Sequence, residues 1–325
     1  MTRVLSVIVL LVWVLAAPLA ARAQLPARVP RIGYLESGAP GTPLVEAFRQ
    51  GLRDLGWIEG QSIAVEVRAA EGKYDRLPEL AAELVRLKVD VIFASSTPAA
   101  LAAKQATPTI PIVIGRVADP VGSGLVTTLA RPGGNITGWT HQGIELRVKY
   151  LDLLKEAVPE ATRIGVLWNP GNPIHGSSLK SMEATAEALK VELHPVGARD
   201  PQGIESAFSA LVENRVQALT VFQDGMFLAQ GPQIIALAAR SRIPTMYGLT
   251  DLVRMGGLMG YGVNLPGRYR HAASFVDRIL KGAKPADLPI EQPTKFELVI
   301  NLKTAKALGI AIPQSVLGRA DEVIQ

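Results

Sequence analysis

The 325-residue chain has no cysteine, so no disulfide staples its fold and no lipid can be attached at a leader cysteine. Histidine is scarce. His141, His175, His194 and His271 are the four, and no two stand at the i, i+2 or i, i+4 spacing typical of metal ligands on one element. With thiolates also missing, a structural zinc site is excluded and neither a metal nor a cofactor is expected. The signatures of common chemistry are absent too. There is no G-x-S-x-G elbow, no S-x-x-K set, no phosphate-binding G-x-x-x-x-G-K-[ST], and no G-x-G-x-x-G after the first strand. No catalytic residue is expected, and an exported hydrolase would need a nucleophile–base pair that four scattered histidines do not supply. Basic runs and aromatic–basic alternation are also missing. The net charge of +5 is spread along the chain, and nucleic acid is not an expected partner.

What is present is a globular composition, 48% hydrophobic and 19% charged, long enough for two full cores. The chain opens with Met1-Thr2-Arg3, an apolar run Val4–Ala17, then Pro18 and Ala21-Arg22-Ala23. This is the pattern of a secretory signal peptide over 1–23, cleaved after Ala23. The apolar run is shorter than the roughly 20 residues that span a bilayer. Export to a periplasm is therefore expected, and loss of Arg3 and Arg22 lowers the net charge to about +3.

The remainder says nearly the same thing twice. Arg31-Ile32-Gly33-Tyr34-Leu35 opens one run and Arg163-Ile164-Gly165-Val166-Leu167 opens another. Each continues as alternating strands and helices, which predicts parallel sheets with right-handed crossovers. Val45, Phe48, Leu52 and Leu55 share one helical face, and Val89–Ala94 is a short apolar run suited to a strand buried on both sides. The Gly- and Pro-dense stretch from Ala118 to Gly138 is expected to lead into the first crossing between lobes. The reading is an α/β protein of two doubly wound lobes: an N-terminal lobe over 30–138 and a C-terminal lobe over 139–265. A crossover helix and tail over 266–325 return in part to the first lobe. Gly133, Gly134 and Gly138 are the expected hinge glycines.

Open α/β sheets hold ligands at the carboxyl ends of their strands. Ser95-Ser96-Thr97-Pro98 follows an apolar strand, and its hydroxyls with free N–H groups are either an anion site or a plain helix cap. Asp119, held extended by Pro120, is either a partner for a ligand ammonium or an Asx-turn former. Asn169 and Asp224 follow second-lobe strands, the latter in an Asp-Gly pair that also suits an ordinary turn. Tyr247 and Tyr261 end strands, placed to stack on an apolar ligand or to pack in the core.

Several blocks together carry a resemblance: Glu59-Gly60-Gln61-Ser62-Ile63, Glu71-Gly72-Lys73-Tyr74-Asp75-Arg76-Leu77-Pro78, Ala118-Asp119-Pro120-Val121, Arg131-Pro132-Gly133-Gly134-Asn135-Ile136-Thr137-Gly138 and Asn301-Leu302-Lys303-Thr304-Ala305-Lys306-Ala307-Leu308-Gly309. From about Arg31 to Ile324 the chain resembles the ABC transporter substrate-binding family that includes the tryptophan-binding TrpX-like proteins. The resemblance implies a type I periplasmic-binding-protein fold with three hinge crossings and closure over a small organic ligand. The members it resembles bind aromatic amino acids. Carried over by motif, Ser95, Ser96 and Thr97 would hold a ligand carboxylate, and Asp119, Asn169 and Asp224 would line the opposite side. The chain departs from the family in a shorter loop after the first strand, Ser37–Thr42, and in Ser96 where glycine is frequent. The implied partners are an ABC permease with its cytoplasmic ATPase, and the implied carrier is a monomer. The alternative is a ligand-sensing subunit of a periplasmic signalling receptor.

Overall fold

Strand β1 (Arg31–Glu36) sits inside the first sheet, and five of its six residues are buried. A computed structural model of the chain describes residues 28–141 and 143–325, so the expected signal peptide lies outside the described residues. Around β1 run β2 (Ala64–Ala69), β3 (Val91–Ala94), β4 (Ile112–Val117) and β5 (Ile136–Thr140) in the order β2-β1-β3-β4-β5, all pairs parallel. The connecting helices are α1 (Pro43–Asp54), α2 (Leu77–Arg86) and α3 (Thr97–Ala106). Pro43 starts α1 where its missing N–H costs nothing, and Leu44, Val45, Phe48 and Leu52 then turn inward.

The second sheet contains β6 (Arg163–Trp168), β7 (Glu192–Gly197), β8 (Ala218–Val221), β9 (Thr245–Tyr247), β10 (Met259–Gly262), β11 (Glu297–Asn301) and β12 (Glu322–Ile324). Its order is β12-β11-β10-β9-β8-β6-β7, parallel except where β11 runs against β10. Pro195 lies in β7, an edge strand that can spare the donor. The helices of this half are α4 (Gly143–Ala157), α5 (Ile174–Ala188), α6 (Pro201–Glu213), α7 (Gly225–Ala229), α8 (Gly231–Arg240) and α9 (Thr250–Arg254). After β10 come α10 (Leu265–Leu280), α11 (Leu302–Leu308) and α12 (Gln314–Leu317). The fold is the expected pair of doubly wound lobes. Among the described residues no helix is long and apolar enough to cross a membrane.

The chain passes between lobes after β5, after β10, and again before β11. Helix α10 belongs to the first lobe by packing. Its Tyr269 joins Tyr34, Phe48 and Phe93 in one aromatic cluster, and a side chain at Gly51 of α1 would collide with the Arg270 carbonyl. The returning segment is bonded to β5: Glu291 N–H donates to the Gly138 carbonyl and Thr140 N–H to the Glu291 carbonyl, each at 2.9 Å. The expected hinge glycines sit relative to this crossing as follows. Gly133 and Gly134 lie in the loop entering β5, at the end of the strand away from the crossing. Gly138 lies inside β5 at φ +132°, where a Cβ would strike the Ile114 backbone, so glycine is required there for strand packing.

Candidate ligand-binding cleft

The carboxyl ends of β1, β3 and β4 face those of β6 and β8, and buried polar side chains gather between them. Glu36 ends β1 and is 3% exposed. Its Oε1 accepts from Gly38 N–H at 2.8 Å and from Ser95 Oγ at 2.9 Å. Ser95 therefore spends its one hydroxyl proton on Glu36, while its oxygen accepts from Ser37 N–H at 3.2 Å. Ser96 is the N-cap of α3 and accepts from Ala99 N–H, and Thr97 Oγ1 accepts from Ala118 N–H at 3.5 Å. Of the three hydroxyls expected to meet a ligand carboxylate, Ser95 gives its proton to Glu36, whereas Ser96 and Thr97 use only their oxygens as acceptors in these bonds.

On the other lobe Asp224 caps α7 and is 2% exposed. It collects Asn169 Nδ2 at 3.1 Å, Asn172 Nδ2 at 3.0 Å, Met226 N–H at 3.0 Å and Tyr74 O–H at 2.6 Å. The last bond crosses from the first lobe, and burial beside this carboxylate holds the Tyr74 hydroxyl well above its ordinary pKa, fully protonated. Asn169 orients the cluster from the end of β6. Its Oδ1 accepts from Gly171 N–H, and its own N–H donates to His175 Nδ1 at 3.0 Å. The His175 Nε2 side meets the Gln223 carbonyl at 3.2 Å, which assigns the proton to Nε2. Burial, opposed by nearby Asp224, lowers the His175 pKa to about 4. Asn169 and Asp224 thus come together as expected, with Asn172 and Tyr74 added. The lobes also touch at Gly38 and Gly225, where a Cβ on Gly38 would lie 3.1 Å from the Gly225 carbonyl.

Two further groups reach this cleft. Arg116 on β4 is 4% exposed, yet its Nη1 has no hydrogen-bond partner. His141, just past β5, is buried with neither ring nitrogen bonded. Burial first, and then Arg147 and Arg116, push its pKa well below the ordinary value. Arg147 stacks over Phe222 at 4.5 Å. At the mouth, a cavity of about 570 Å³ lies between the 39–44 loop of one lobe and Leu228, Ala229, Asp251, Arg254 and Met255 of the other. That is within the usual range for a small-molecule site.

The other expected residues sit elsewhere. Asp119 forms an Asx-turn, accepting from Gly122 N–H at 2.8 Å. Tyr247 is core: it is 1% exposed and packs where a side chain on Gly257 would touch its ring. Tyr261 stacks on Phe296 at 5.9 Å, beside the third crossing.

Comparison with known proteins places this architecture. Residues 41–324 match the family model for ABC transporter substrate binding proteins. The chain belongs to that family. A tyrosine-binding protein of Clostridioides difficile (strain R20291) is 30% identical over 263 residues, covering 81% of this chain and 75% of that protein. The structure of an ABC domain in complex with L-Trp from Streptococcus pneumonia matches with TM-score 0.82 at 27% identity, over 91% of this chain and 99% of that one. A ligand-free, open structure of a substrate binding protein with adhesive properties from Clostridium difficile matches with TM-score 0.61, also at 27% identity, over 91% and 100%.

Within this substrate-binding protein, sequence reasoning missed Glu36, Tyr74, Arg116 and His141. Tyr74 lies in the Glu71–Pro78 motif block and was not singled out for the site. Glu36 and Arg116 are charges inside apolar strand runs, and that break in pattern was the available signal.

Proposed function

We propose that the protein is the extracytoplasmic solute-binding component of an ABC importer, taking up an amino-acid-like molecule between its lobes and presenting the closed form to a membrane permease. The observation that carries this reading is the Tyr74–Asp224 hydrogen bond, a direct tie between lobes at the rim of a buried polar cleft. Two features of the relatives support it. One binds tyrosine and another was crystallised with L-Trp. At equal identity, the ligand-bound relative superposes far better than the open one, as a chain with its lobes drawn together should. Binding proceeds as hinge bending at the three crossings, with the ligand favouring the closed state by touching both lobes.

The test is a thermal-shift screen of refolded, ligand-stripped protein against amino acids, aromatic and aliphatic acids, and amides. A ligand at about 100 times its Kd stabilises the native state by about 2.7 kcal/mol, a clear rise in midpoint. A raised midpoint with an aromatic or branched amino acid is expected. A screen in which only uncharged compounds or sugars shift the midpoint would overturn the amino-acid reading.

A further inference from the structure

Among the described residues, six non-glycine residues have left-handed backbone, and they divide sharply. Glu71, Lys88, Lys190, Arg215 and Arg242 are exposed and lie outside the strands and helices, where a left-handed residue closes a turn. Arg116 alone is buried and inside a strand, at φ +51°, and the β4–β5 pairing shifts register across its position. Strain of this kind in a cleft persists where the surroundings force it, and it is characteristic of sites that position a functional group.

The group so positioned is incomplete. Among the described residues the Arg116 guanidinium enters no ion pair and no side-chain hydrogen bond, and its Nη1 is fully shielded. It lies against the second lobe, since a Cβ on Gly225 would come within 3.0 Å of its Nη2. Glu36 and Asp224 act on it most strongly among the carboxylates, and Asp251 also feels its charge. Asp224 is not free to answer, because four donors already surround it. Glu36 is half engaged. Its Oε1 accepts from Gly38, Ser95 and the more distant Ser37 Oγ, and the buried Tyr34 hydroxyl, which has no other partner, also lies against this carboxylate. Arg116 and Glu36 are both buried and oppositely charged, yet they do not pair within 4.0 Å. A buried charge left without a partner costs several kcal/mol, so a ligand bearing the complementary charges would be held strongly here.

We propose that Arg116 and Glu36 read the two charged ends of a zwitterionic ligand, Arg116 taking the carboxylate with His141 beside it as a further donor, and Glu36 taking the ammonium. This rests on the amino-acid reading above and sharpens it: the ligand must carry both charges on one small head. The anchor for the carboxylate is then on β4 rather than at Ser95, whose hydroxyl proton goes to Glu36. Arg suits the role because its planar fork can grip both carboxylate oxygens.

The experiment is calorimetric titration of ligand-stripped protein with L-tyrosine and L-tryptophan. Parallel titrations use the amines lacking the carboxylate (tyramine, tryptamine) and the acids lacking the amine (3-(4-hydroxyphenyl)propanoate, indole-3-propanoate). For the better of the two amino acids, both truncated analogues should bind at least about 100-fold more weakly. Arg116→Gln should weaken the amino acid by a similar factor while hardly altering the amine, and Glu36→Gln should do the converse with the acid. Arg116→Met should melt no lower than wild type without ligand, because it removes an unanswered charge; a merely structural arginine would lower the midpoint. Tight binding of an amino acid that Arg116→Gln leaves within about threefold would overturn the anchor and spare the amino-acid reading. Equal affinity for an amino acid and its decarboxylated amine would do the same without any variant. Wild-type protein that binds no zwitterion at all would overturn both.

Discussion

A buried histidine that accepts a backbone N–H cannot easily take a second proton, and His175 is in that position through the Asn169 N–H on Nδ1. Its pKa near 4 in the fold, against 6.5 for an ordinary histidine, sets the sign of a pH effect. The unfolded chain binds the proton first, so the stability from this group is complete above about pH 6.5 and is lost as the pH falls towards 4. The shift amounts to about 3 kcal/mol, and His141, also lowered, acts in the same direction. The melting midpoint should therefore fall from about pH 7 to pH 4.5, and fall less steeply in His175→Asn; an equally steep fall in that variant would contradict the assignment. At this scale the sequence was legible for Asn169 and Asp224, whose places after second-lobe strands put them at the cleft. For Ser95 no pattern reveals that a strand-end hydroxyl will bond a carboxylate 59 residues away. Arg116 was hidden for a related reason: nothing in the run Ile112–Val117 announces a left-handed residue within it.

Among the elements, β1, β3 and the helices packed on them follow from apolar periodicity, and their observed limits lie within a few residues of the expected ones. Strand β5 does not. Gly133, Gly134 and Gly138 give its sequence the look of a connection, whereas the strand gains its place from burial of all five residues between β4 and the returning 288–291 segment. The two kinds of glycine should separate on substitution. Gly138→Ala forces a Cβ onto the Ile114 backbone at an unfavourable φ, and a loss of about 3 kcal/mol or more is expected by thermal unfolding. Gly134→Pro enters open space in a loop and should leave stability within about 0.5 kcal/mol and ligand affinity unchanged. A Gly134→Pro variant with impaired closure would return the hinge to that loop.

For the whole molecule, the account requires that the lobes come together over a ligand and that their contact is tied at Tyr74 and Asp224. Two lobes in one chain were readable from the repeated strand openings at Arg31 and Arg163. Which surfaces meet was not, because the meeting pairs, Gly38 with Gly225 and Tyr74 with Asp224, lie some 150 or more residues apart in segments of no shared pattern. Removing the Tyr74 hydroxyl takes a donor from a buried carboxylate, a bond worth about 1.5–3 kcal/mol when charged. That energy belongs to the closed state alone, so Tyr74→Phe should bind roughly 10- to 150-fold more weakly. The most direct measurement is small-angle X-ray scattering of ligand-stripped protein with and without the amino acid that raises its melting midpoint. The radius of gyration should fall on ligand addition in the wild type, and fall less at the same ligand concentration in Tyr74→Phe. An unchanged radius in the wild type at saturating ligand would contradict closure of the lobes as the basis of binding.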